Sequence, residues 1–169
     1  MPKYAALLRA VNVGGTGKMP MADLRAMCER LGFEAPKTLL ASGNVVFQST
    51  QKPAEVCAVL EAALAEYAAK PVGVFVYDEA QMQIIHDQHP FPDHPPSQCG
   101  ILFIDQMPSV VEMAEPKGLK DEEIVAGSMA IYLKYPNGMG QSKLKAPGAD
   151  RGTMRNFNTV VKLLALLKE

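Results

Sequence analysis

Apolar residues along this chain alternate between short unbroken runs and helical stripes, and that alternation predicts its elements. Tyr4–Val11 reads as a buried strand. Pro20 suits the first turn of a helix whose apolar stripe is Met21, Leu24, Met27, Cys28 and Leu31, and Gly32 ends it. Thr38–Ala41 and Asn44–Gln48 are extended runs around Ser42-Gly43, which supply the turn chemistry of a hairpin. Pro53 opens a second helix with a stripe at Val56, Val59, Leu60, Ala63, Leu64 and Tyr67, and Val72–Tyr77 returns to strand. The order β-α-β-β-α-β is the split unit of ferredoxin-like folds.

The second half repeats this plan in part. A helix near Glu79–His86 leads into a proline-rich loop and then a strand at Gly100–Ile104. A short helix near Ser109–Ala114 precedes strands at Glu123–Ala126 and Ala130–Tyr135. Thr153–Thr159 opens a final helix, Asn158–Lys168, which is apolar over much of its circumference and therefore buried. The expected fold class is α+β, with two ferredoxin-like (βαββαβ-type) subdomains, the second incomplete, closed by a C-terminal helix. The subdomains are expected at 1–77 and 78–169, or merged into one compact unit.

Topology brings distant residues together. In such a unit the third strand runs antiparallel between the first two, so the exit of the first strand shares an edge with the Ser42-Gly43-Asn44 turn. Arg9, Asn12, Gly14 and Gly15 lie at that exit. A helix N-terminus near Pro20, with its unpaired N–H groups, adds a preference for negative charge.

Charge is near balance overall but unevenly spread. Residues 78–123 carry ten acids against two bases, whereas residues 141–169 carry six bases against two acids. A solvated acidic face explains the first, and an anion-attracting end is the alternative reading of the second. A duplex-binding protein carries a stronger basic excess, so nucleic acid is not an expected partner. Arg9 interrupts the first apolar run before it could serve as a signal, and no stretch approaches the ~20 apolar residues of a membrane span. Three scattered cysteines without CxxC spacing fit buried thiols in a reducing compartment, and the expected location is the cytoplasm.

Several motifs invite chemistry. Asn12–Lys18 lies between a strand and a helix like a phosphate loop, but Asn12 replaces the required glycine and Met19 the required Ser or Thr. A structural turn or a looser anion-binding loop remains. His86, His89 and His94, with Asp87, Asp93 and Cys99, crowd the proline-rich loop without convergent ligand spacing, so no metal site is expected. Ser142 and Lys143 adjoin without geometry for a nucleophilic pair. Thr153 or Asn156 is suited to capping the last helix.

Three sets of motifs resemble a bacterial family catalogued as domain of unknown function 1697. They are Leu7-Leu8-Arg9-Ala10-Val11-Asn12-Val13-Gly14-Gly15 with Met21-Ala22-Asp23-Leu24; Ser42-Gly43-Asn44-Val45-Val46-Phe47; and Tyr132…Pro136-Asn137-Gly138, Gly140-Gln141-Ser142-Lys143-Leu144 and Thr153-Met154-Arg155-Asn156…Thr159-Val160. Gln141 stands where the family often has a basic residue, and Phe157 where it often has Trp. The resemblance implies two small α+β subdomains of ferredoxin-like character; it implies no reaction, substrate or cofactor.

The expected function is binding of a small anionic ligand, phosphorylated or carboxylated, between the subdomains. Arg9, Asn12, Gly14, Gly15, Ser42 and Asn44 from one half would meet Ser142, Lys143, Arg155 and Asn156 from the other. One alternative is a non-catalytic interaction or structural module whose polar motifs lock the subdomains together. Another is an enzyme using the same cleft, with Asp23 and Asp150 the nearest acids.

Overall fold

The computed structural model describes residues 1–9 and 18–169, so Asn12, Gly14 and Gly15 lie outside the described residues. The elements are β1 (Lys3–Leu8), α1 (Met21–Arg30), β2 (Glu34–Thr38), β3 (Asn44–Gln48), α2 (Pro53–Ala68), β4 (Val74–Asp78) and α3 (Glu79–Asp87). There follow β5 (Cys99–Phe103), α4 (Val110–Ala114), β6 (Glu123–Ala126), β7 (Ala130–Lys134), β8 (Thr153–Asn156) and α5 (Phe157–Lys168). Two compact units result: Met1–Met82 with Leu163–Glu169, and Gln83–Lys162.

In the first unit the strands take the order β2-β3-β1-β4, with every neighbour antiparallel. This is the ferredoxin-like order that the βαββαβ succession dictates. Period-2 alternation sends Tyr4, Ala6 and Leu8 of β1, with Val45 and Phe47 of β3, into one cluster with Leu24, Met27 and Cys28 of α1 and Val56, Leu60 and Leu64 of α2. Each fully buried Leu or Phe there contributes about 2 kcal/mol by leaving water. The Phe33 and Phe47 rings stack at 4.3 Å. α1 stops where Gly32 turns left-handed at φ +85. α2 starts on Pro53, and the Glu55 carboxylate accepts from the Lys52 N–H (3.2 Å).

The second unit repeats the order as β6-β7-β5-β8, again antiparallel throughout. It is the incomplete copy, because β7 and β8 are joined by two single 3-10 turns, Met139–Gln141 and Ala149–Arg151, where the first unit has α2. Leu102, Ile131, Leu133, Tyr135 and Ala146 form its buried cluster, with Met113 and Ile124 packed against it. Ser109 caps α4, and Arg151 grips the Glu112 carboxylate with both terminal nitrogens (3.0 and 3.3 Å).

Two boundaries differ from the sequence expectation. The first hairpin strand is Glu34–Thr38 rather than Thr38–Ala41, and residues 39–43 form the turn. An edge strand needs no buried face, so Glu-Ala-Pro-Lys-Thr carries no apolar signal. Thr153–Asn156 is strand β8 rather than the opening of the last helix; Thr153 and Arg155 are buried and alternate with half-buried Met154 and Asn156. Among the described residues, no helix is long and apolar enough to cross a membrane.

Candidate functional site

The predicted site residues fall into three places. At the exit of β1, the Leu8 N–H donates to the Gly43 carbonyl (2.8 Å) and the Arg9 N–H to the Gly73 carbonyl (2.9 Å). The strand end and the hairpin turn therefore share an edge, as the topology requires. Asn44 is wholly buried, and its side-chain amide donates to the Leu39 carbonyl (2.7 Å) and the Ser42 hydroxyl (3.0 Å). These bonds fix the turn from inside.

Arg155 and Asn156 stand on β8. The Arg155 guanidinium is buried and donates to the Thr153 hydroxyl (2.6 Å) and the Met154 carbonyl (2.9 Å). Burial pulls its pKa down to about 10, so the group stays charged at neutral pH. Asn156 caps α5: its side-chain oxygen accepts from the Thr159 N–H (3.1 Å).

Ser142 and Lys143 line the third place, a hollow of about 420 Å³ in the second unit. Its walls come from segment 118–122, the Tyr135-Pro136-Asn137-Gly138 turn and Gln141–Lys143. A zipper holds these stretches together. Lys145 donates its N–H to the Lys117 carbonyl (2.8 Å), making an isolated antiparallel bridge, and Gly118 at φ +78 fits closely against the Lys143 backbone.

The carboxylates in the hollow are committed to the protein. Asp121 accepts from the Asn137 side-chain amide (2.6 Å). Glu122 accepts from the Lys120 N–H (2.8 Å) and the Ser142 hydroxyl (2.8 Å). The Lys120 N–H, aided by the Ser142 hydroxyl, holds the Glu122 carboxyl below its usual range. Burial, with Glu122 nearby, pushes the Tyr135 phenol up to about 12, so it remains a neutral donor.

The ammonium groups make no close pair of this kind, although the Lys120 charge attracts the Glu122 carboxylate at longer range. Lys120 and Lys143 line the hollow, and the Lys117–Lys145 bridge adds two more lysines to the same stretch. Among the described residues, none of these four ammonium groups makes an ion pair. Lys120 and Lys143 share the lining with Asp121 and Glu122, so the charges of the hollow balance, and Lys117 and Lys145 stand at the adjoining bridge. Lys120, Asp121, Glu122, Tyr135 and Asn137 were not among the predicted site residues. Of these only Asn137 lay in a named motif, Pro136-Asn137-Gly138; nothing in the sequence marked Lys120, Asp121 and Glu122.

Of the three histidines near the proline-rich loop, His94 reaches the Tyr135 carbonyl through Nε2 (3.2 Å) and the other two pack on Phe157. His89 stacks on Phe157 at 4.0 Å and 18°, and His86 lies against the same ring at 5.3 Å. Among the described residues, no group of three or more His, Cys, Asp or Glu is arranged to hold a metal ion.

The model of the family described as Protein of unknown function (DUF1697) matches residues 1–132. The chain belongs to this family. The match covers the 118–122 wall of the hollow and ends before Tyr135. The DUF1697 chain is also similar to the solved structure of a conserved bacterial protein from Streptococcus pneumoniae. The two share 25% identity over 98% of each chain, with a TM-score of 0.81. No curated protein matches the chain.

Proposed function

We propose that this protein binds a small anionic ligand, phosphorylated or carboxylated, in the hollow between segments 118–122 and 135–143. The observation that carries the reading is the contrast in commitment within that hollow. Its two carboxylates are held by protein donors, while Lys120 and Lys143 make no ion pair among the described residues, Lys120 attracting Glu122 only at longer range. A charge-assisted contact from each lysine would hold the anionic group, and Leu119 and Pro136 offer an apolar wall for the remainder. Calorimetric titration with inorganic phosphate and with citrate tests this. Binding by the wild type that is lost in Lys143→Gln and Lys120→Gln supports it; binding unchanged in both variants rejects it.

A second reading is favoured by the hydrogen bonds of Asn44, Ser142 and Asn156, each of which has a sufficient role inside its own unit. Under it the family motifs serve architecture, and the protein is a non-catalytic interaction module. Loss of melting temperature in Ser142→Ala, with no anion bound by the wild type, would select this reading.

A further inference from the structure

Strand β6 ends one sheet, and among the described residues it pairs only with β7. The Gly127 N–H donates to the Ala130 carbonyl (2.8 Å), closing a two-residue turn over Ser128-Met129. Counting back from that bonded pair, Val125–Tyr132 and Glu123–Lys134 are the hydrogen-bonded pairs of the hairpin. The N–H and C=O groups of Ile124 and Ala126 therefore point away from β7, toward the free edge.

The other edges are guarded. β2 carries Pro36 and Lys37, a register shift between Glu34 and Lys37, and a left-handed Ala35 at φ 49. β4 and β8 carry no exposed residue. β6 carries no proline, bulge or lysine, and its central Val125 is 40% exposed.

We propose that β6 pairs antiparallel with β6 of a second copy of this chain, about a two-fold axis through Val125. The register is selected by the residues themselves. Centred on Val125, the outward groups of Ile124 meet those of Ala126 in the second copy, and the reciprocal pair forms by symmetry. Val125 meets its own counterpart in the close, non-hydrogen-bonded pair, where β-branched side chains pack well. Glu123 faces Gly127 of the second copy, so no acid opposes an acid. Moving the axis to Ile124 pairs Ile124 with itself but sets the Glu123 carboxylate against Val125, which loses its own counterpart.

A second feature supplies area. α4, which leads from β5 to β6 and whose Met113 packs on the same buried cluster as Ile124, carries Val110 and Val111 at 86% and 80% exposure. A four-residue seam alone is small, and the exposed valines of the helix leading into β6 are the apolar area available to enlarge it.

Sedimentation equilibrium on the full chain, from low to high micromolar, tests the proposal. The wild type is expected to approach twice the 18.3 kDa chain mass. Val125→Lys places like charges on the axis and is expected to raise the dissociation constant at least about 100-fold. Val125→Thr keeps the branched shape and should remain dimeric. Hydrogen exchange reads the same edge directly: the Ile124 and Ala126 amides should be protected in the wild type and fast in Val125→Lys. A wild type that stays monomeric overturns the proposal. So does a dimer untouched by Val125→Lys, which would lie elsewhere. Protected amides in a monomer would mean that a different segment or a bound peptide covers the edge, and this also overturns it.

Discussion

Gly118 lies so close to the Lys143 carbonyl that a Cβ built on it would overlap that oxygen. The contact joins two segments far apart in sequence into one wall of the hollow. Gly118 also sits at φ +78, where side chains are strained whatever the space. Gly118→Ala should therefore cost about 2–4 kcal/mol, combining left-handed strain with displacement of the 143–145 backbone. Urea unfolding measures the loss, and anion affinity should fall with it.

Asn44 governs the first hairpin. Asn44→Leu removes donors to the Leu39 carbonyl and the Ser42 hydroxyl in a fully buried place, at about 2 kcal/mol or more. Asn44→Asp should be worse, because a carboxylate oxygen would face the Leu39 carbonyl. The denaturation midpoint should fall in both variants, with the slope unchanged.

His89 should make stability sensitive to acid. Burial against Phe157, assisted by neighbouring His86, lowers its pKa, while a contact from the Phe91 backbone opposes the shift. A base depressed in the folded state binds more protons when unfolded, so stability rises with pH through that region. The contribution is complete above the ordinary histidine value of ~6.5 and is lost as pH falls below it. His86 with its partner Asp87 is the adjoining titratable pair. His89→Phe keeps a ring on Phe157 and removes the proton site. Melting temperatures from pH 5 to pH 7.5 should rise less steeply in that variant than in the wild type.

Cys28 should be inert in the folded protein. Burial, with Glu29 adjacent, pushes its thiol up to about 12, which leaves roughly one molecule in ten thousand as thiolate at pH 8. Cys99 is raised in the same direction by burial, whereas Cys57 is partly exposed. Alkylation followed by mass spectrometry should label Cys57 first and Cys28 only at the rate of unfolding.

The element order was legible because unbroken apolar runs and helical stripes mark every buried element of the first unit. What stayed hidden has a physical reason. β2 is an edge strand containing Pro36 and Lys37, so burial imposed no pattern on it. β8 holds Arg155 on a buried strand face, and a polar motif beside a strongly apolar helix reads as that helix's cap; Asn156 does cap it, which made the misreading easy. The hollow was half legible. Ser142 and Lys143 were visible as a polar motif, but the Lys117–Lys145 bridge that brings Lys120 to them is a tertiary event. Charge counted along the chain assigned Lys117 and Lys120 to an acidic segment, and only folding sets them beside Lys143 and Lys145.

The central claim is that an anion settles in this hollow, and mapping backbone amide shifts by NMR during titration with inorganic phosphate tests it most directly. The account predicts saturable shifts concentrated at residues 118–122 and 137–143, abolished in Lys143→Gln. Saturable shifts centred elsewhere, or none at these residues, would contradict it.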